Sequence, residues 1–213
     1  MYAPEHFAVA DADALIARLA RRFAGILVSV DDGQPVAMHM PVLWDAERRV
    51  ISGHIARANP QWKLGAGRGL IVLAGPEAYV SPSFYPSKAE HGKTVPTWNY
   101  EAVHLSGAVE WFDDAARLED VVGRLSALHE GNRAEPWRIE DAPPAYINAM
   151  LRGIVGVEMR VERVEAKRKL SQNKSAADFE GVIAGLGEGD AVAAEIAALM
   201  RATRAVSDDP DGN

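Results

Sequence analysis

Apolar positions recur at two different periods along this chain, and each change of period marks an element. Leu15, Ile16, Leu19 and Phe23 fall at helical spacing, which predicts a short helix over residues 11–23, capped by Asp11 or Asp13 and stopped by Gly25. Ile26 to Val30 is a compact strand, and Asp31-Asp32-Gly33 is a turn signal. Val36, Met38, Met40, Val42 and Trp44 then alternate with Ala37, His39, Pro41 and Leu43, so one period-two strand completes a hairpin. Val50 to Ile55 reads as a third strand. Asn59-Pro60 opens a short helix through Trp62 and Leu64, with a cap followed by a first-turn proline. Leu70 to Ala74, Tyr79 to Val80 and Thr97 to Phe112 are further strands. Residues 81–96, rich in proline and poor in apolar anchors, read as a long loop or lid.

Helices gather later. Asp113 or Asp114 starts one with Leu118, Val121, Val122, Leu125 and Leu128 on a single face, and Pro143-Pro144 opens another. Val155, Val157, Met159 and Val161 give a long strand that runs into Lys167-Arg168-Lys169-Leu170. Ser175 with Asp178 resembles a capping box before a helix that breaks at Gly187 to Gly189, and Asp190 begins the last helix, through Arg204. Strands cluster first and helices late, so the pattern is α+β, not alternating βαβ. It divides into a domain over residues 1–174, a C-terminal helical appendage over 175–205 and a flexible tail over 206–213.

Composition narrows the classes. With 48% hydrophobic residues over 213, the chain has the apolar content of one folded domain and not of a disordered one. A net charge of −7 gives no broad attraction to nucleic acid, although a local basic patch can still act. The lack of cysteine excludes disulfides and thiolate metal sites. No apolar run approaches the roughly 20 residues of a membrane helix. The N-terminus lacks a signal pattern, and the expectation is a cytoplasmic protein without a membrane segment.

Two dense runs hold the candidate chemistry. Ser52 to Lys63 places Ser52, His54, Arg57, Asn59 and Lys63 where a strand gives way to a helix. That setting suits a phosphate dianion, and equally an ordinary solvated loop. Val95 to His104 carries Trp98, Asn99, Tyr100, Glu101 and His104 on a predicted strand. Trp62 and Trp98 either stack on a flat ligand or pack in the core. His39, His54 and His104 show no metal-ligand spacing, so no metal site is expected. There is no nucleophile elbow, P-loop or dinucleotide fingerprint. The basic run Arg163, Lys167, Arg168, Lys169 and Lys174 reads as a solvated strand face or as an anion contact.

These runs carry a resemblance. The opening Met1-Tyr2-Ala3-Pro4-Glu5-His6-Phe7, Pro41, Gly53 through Trp62, Ala78-Tyr79-Val80-Ser81-Pro82, Val95 through Tyr100 and Lys169 through Lys174 together resemble the PaiB family, FMN-binding negative transcriptional regulators. The resemblance implies a split β-barrel of the flavin-reductase and pyridoxamine-phosphate-oxidase kind with peripheral helices, acting as a homodimer with FMN between subunits. It implies that Ser52, His54, Arg57, Asn59, Trp62 and Lys63 hold the FMN phosphate end. His39, Met40 and Pro41 would run beneath the ring. Thr97, Trp98, Asn99 and Tyr100 would line the same pocket, approached by Ser171, Gln172 and Asn173. The function it implies is negative regulation of transcription by an FMN-binding homodimer. A flavin-dependent oxidoreductase and a heme-binding or heme-degrading protein are the alternatives, and no catalytic residue is singled out.

Overall fold

The computed structural model describes residues 1–207. The expected tail over 206–213 lies outside it from residue 208 on, and residues 206 and 207 continue the last helix. Seven strands form one sheet in the order β2-β1-β5-β6-β7-β4-β3, where β1 is Gly25–Asp31, β2 Gln34–Met40, β3 Val42–Asp45, β4 Val50–Ala56, β5 Gly67–Val80, β6 Thr97–Phe112 and β7 Ile154–Lys169. The helices are α1 (Ala12–Arg22), α2 (Ser87–His91), α3 (Ala115–Glu130), α4 (Pro144–Arg152), α5 (Ala176–Gly187) and α6 (Ala191–Ser207). The caps are those the sequence advertises: Asp11 accepts from Ala14 N, Asp114 from Arg117 N and Ser175 from Asp178 N.

The β1–β2 hairpin closes with Asp31 opposite Gln34 across Asp32 (φ 44°) and Gly33 (φ 75°). Two consecutive positive φ values match the right-handed twist of the flanking strands. The expected single strand from Val36 to Trp44 is two strands. Pro41 has no N–H for a ladder, and the chain changes partner there: Met40 pairs with Gly25 of β1, whereas Val42 pairs with Gly53 of β4. A side chain at position 53 would not fit this crossing, because its Cβ would stand 2.3 Å from the Pro41 carbonyl oxygen. Conversely, Leu70–Ala74 and Tyr79–Val80 are one strand. Gly75-Pro76 suggests a break, yet Pro76 lies beyond the Leu70–Val72 rungs that pair with β1, so its missing N–H costs none of them.

The chain forms two compact units. One comprises Asp11–Ala74 and Val103–Glu165; the other comprises Met1–Ala10, Gly75–Ala102 and the chain from Ala166 onward. In the first, α3 and α4 bury Leu118, Val121, Leu125 and Leu151 against Leu43 and Phe112. In the second, α5 and α6 bury Phe179, Val182, Ile183, Leu186, Ile196 and Met200 with Ala78, Val80 and Leu170.

The expected lid over residues 81–96 is an anchored strap. It holds a 3-10 turn (Pro82–Phe84) and α2. Phe84 lies where a Cβ at Gly181 or Gly185 would come within 2.1–2.2 Å of it, so the two glycines of α5 form its notch. Tyr85 is buried beside it. The Ser87 N–H and hydroxyl both donate to the Asp178 carboxylate, at 3.1 and 2.9 Å. These anchors sit on α5, some ninety residues along the chain, where local composition gives no sign of them.

Candidate functional site

The sequence-predicted residues divide between the two units. In the first unit they gather at the end of β4. Ser52 is buried in the strand. His54 presents an Nδ1 that is shielded from water and has no hydrogen-bond partner among the described residues. Arg57 follows β4 directly and clasps neighbouring backbone: its Nε donates to the Arg152 carbonyl at 2.8 Å and its Nη2 to that of Ile154 at 3.1 Å. Its Nη1 reaches an exposed Asp113 carboxylate at 3.5 Å.

The helix expected at Asn59-Pro60 is a five-residue 3-10 turn, Pro60–Leu64. Asn59 caps it through Gln61 N at 2.9 Å, so that N–H is already spent within the turn. Gln61 is buried and donates to the Ser29 hydroxyl at 3.1 Å, and this unforeseen bond locks the turn onto β1. Trp62 donates to the Arg57 carbonyl at 2.9 Å, and its ring lies 5.9 Å from both the Arg57 and Lys63 cations. Among the described residues, Lys63 meets no carboxylate, so its exposed ammonium is available to an anion. A cleft of about 170 Å³ opens beside Arg57, Trp62, Trp111 and Asp113. On β2, His39 is exposed and Met40 is buried, as alternation requires.

In the second unit the dense run at the start of β6 sorts by parity. Asn99 and Glu101 share the buried register of Val103 and Leu105, while Trp98 and Tyr100 take the other face. Asn99 is fully buried and both ends of its amide are used: Oδ1 accepts from the Ser171 hydroxyl at 3.0 Å, and Nδ2 faces the Met200 sulfur at 3.4 Å. Ser171 is itself buried at φ 63°, a left-handed conformation that a serine adopts only at a cost. Gln172 closes the same turn, accepting from Leu170 N and donating to the Arg168 carbonyl. Asn173 is exposed. Trp98 is half exposed and meets Tyr79 edge to face, with centroids 5.9 Å apart.

The basic run is only in part a solvated face. The Glu101 side chain is 0% exposed and accepts from Arg168 Nε at 2.7 Å. Lys167 is buried; it donates to the Tyr2 carbonyl at 3.1 Å and lies 5.4–5.9 Å from the rings of Tyr100, Phe7 and Tyr2. The Lys169 ammonium donates to the Thr97 hydroxyl and the Trp98 carbonyl. Burial, then the charges of Lys167 and Lys174, push its pKa below the ordinary lysine value. The signal for Glu101 was available in the sequence: an acid in register with Val103 and Leu105 must be buried, and a buried carboxylate needs a cation.

Burial likewise holds the His54 imidazole below its ordinary 6.5. Below pH 6.5 the unfolded chain takes up a proton that the folded chain refuses. The stability this residue contributes is therefore complete above 6.5 and is lost as pH falls through the lower folded value. His54→Gln is expected to flatten part of the acid-side loss of stability, read as urea midpoints between about pH 8 and pH 5. A variant whose pH dependence parallels the parent's would refute this.

The family described as "Putative FMN-binding domain" matches residues 1–163. The "Protease synthase and sporulation protein PAI 2" of Bacillus subtilis is 33% identical, across 86% of this chain and 87% of its own. An uncharacterized protein of Aspergillus fumigatus is 37% identical, across 63% of this chain and 65% of its own. Among solved structures, a conserved hypothetical protein of Mycobacterium tuberculosis matches with a TM-score of 0.55 at 15% identity, covering 79% of this chain and 90% of its own. A flavocytochrome of Azotobacter vinelandii matches at 0.54 and 11%, covering 80% and 73%. At such identities the structures share the fold alone, and it is the α+β split barrel expected from the sequence. No helix among the described residues is long and apolar enough to cross a membrane. The chain belongs to the PaiB family of FMN-binding split-barrel proteins.

Proposed function

We propose that this protein is a homodimeric, FMN-binding negative regulator of transcription. The observation that carries the reading is the 33% identity, across 86% of the chain, to a Bacillus protein named for protease synthesis and sporulation. The residues suit FMN by their chemistry. Lys63, with a free ammonium, the Ser52 hydroxyl and the outer edge of Arg57 are donors for a phosphate dianion. The unpartnered Nδ1 of His54 is a buried polar atom that gains from a bound partner. Trp98 and Tyr79 are half-exposed aromatic surface fit to meet a flat ring. Bound FMN supplies electron and hydride transfer, and the protein orients it and tunes its surroundings.

The need for a second copy rests on size. The cleft beside Arg57 and Trp62 holds about 170 Å³, against roughly 300–1,000 Å³ for small-molecule sites. A cleft this small is compatible with a site that a partner chain completes. With a net charge of −7, regulation runs through a local surface or a protein partner and not through broad attraction to DNA. Purified protein is expected to show flavin absorption, a dimer mass by light scattering, and retardation of its own operon's promoter at low salt. A monomer without flavin overturns the reading; a flavin-bound dimer that leaves that DNA unretarded removes direct repression from it.

A further inference from the structure

A cleft of about 490 Å³ lies between the C-terminal half of α3 and the segment Pro136–Glu140, and it shares no residue with the FMN reading. We propose that it is a binding site for a planar, uncharged aromatic molecule. Its floor is one face of α3. Gly123, Ser126 and Ala127 fall three and four residues apart, on the opposite side from Leu118, Val121 and Leu125, which fill the core. All three are small. A Cβ at Gly123 would meet nothing within 4 Å. A glycine inside a helix costs about 1 kcal/mol relative to alanine, and no packing contact at this position requires one.

The wall is Trp137, 43% exposed, with Pro136 and Ile139 beside it. An indole left half in water over a floor of small residues is the arrangement that takes a ring. The segment is held in place before any ligand arrives. The Glu130 carboxylate accepts from Arg133 Nε at 3.0 Å and from Trp137 N at 3.3 Å, and Asp141 accepts from Arg138 N at 2.8 Å. Such preorganisation lowers the ordering cost of binding. The volume falls within the roughly 300–1,000 Å³ of small-molecule sites. Glu130 is spent on the segment, and the remaining Arg138 and Glu140 oppose each other in sign, so the rim selects no net charge.

The test uses the full chain and the neutral fluorescent probe N-phenyl-1-naphthylamine. Gly123→Leu fills the cleft from its floor into open space. Trp137→Ala removes the wall, and Tyr146→Ala, at an exposed aromatic on α4, is the control. The parent is expected to bind the probe saturably, Gly123→Leu and Trp137→Ala to bind it about tenfold more weakly, and Tyr146→Ala to bind as the parent does. Light scattering on the same samples is expected to give one mass for all four. Absence of saturable binding, or equal binding by Gly123→Leu, overturns the proposal. So does a change of mass in either cleft variant, which would make the cleft a contact between copies of the chain. Because the readout is probe fluorescence and mass, failure here leaves the FMN reading standing, and the reverse holds.

Discussion

Lys63→Ala is expected to weaken FMN binding about tenfold or more, since a hydrogen bond to a charged group contributes about 1.5–3 kcal/mol. The same substitution should leave the unfolding transition in place. The Lys63 ammonium is exposed and rests only near the Trp62 ring, so its removal breaks no hydrogen bond of the fold among the described residues. Arg57→Ala should behave differently. Two of its nitrogens hold the carbonyls of Arg152 and Ile154, tying the end of β4 to the start of β7. Its loss is expected to lower both FMN affinity and stability, the latter by about 1–2 kcal/mol. Flavin titration and urea unfolding of the two variants separate a ligand contact from a brace. If neither variant changes flavin affinity, the phosphate end of the site lies elsewhere.

That contrast reflects what the sequence makes legible. The limits of β6, the β1–β2 turn and the caps at Asp11, Asp114 and Ser175 follow from neighbouring residues alone, and the structure repeats them. The break at Pro41 was visible as a residue without an N–H, but alternation continues through it, and alternation does not say which partner a strand pairs with. The strap over residues 81–96 misled for the same reason, because its anchors, Asp178 and the Gly181–Gly185 notch, are remote in sequence. In the candidate site, motif density marked dense stretches but did not assign roles within them. Parity does: Asn99 and Glu101 turn inward to brace the fold, and Trp98 and Tyr100 turn outward. The bracing contacts of Lys169 and Gln61 were not legible because their hydrogen-bond partners, Thr97 and Ser29, are 72 and 32 residues away.

Arg168→Met should be the most destabilising single change among the polar residues of the second unit. The Glu101 side chain is wholly buried on the apolar face of β6, and Arg168 donates to it at 2.7 Å with 31% of its own side chain exposed. Removing one partner of a buried pair costs about 3–5 kcal/mol where the other charge is left uncompensated, and the partial exposure of Arg168 together with the further contact that Glu101 keeps places this case at about 3 or less. For a chain of this size, each kcal/mol lowers the melting temperature by about 2–4 °C. The effect should persist at high salt, because a buried pair is little screened. Replacing both partners, as Glu101→Leu with Arg168→Met, should recover most of the loss, since an apolar pair of similar volume avoids the desolvation cost. Arg168 adjoins Lys169 and the turn at Ser171 that Asn99 holds, so the pair and the amide fix the same stretch of chain. The loosened turn is therefore expected to lower FMN affinity in the single variant and to regain it in the double. If the double variant unfolds at the same urea concentration as the single, the loss comes from the arginine's packing and not from a stranded carboxylate, and the ion pair is not what holds this turn.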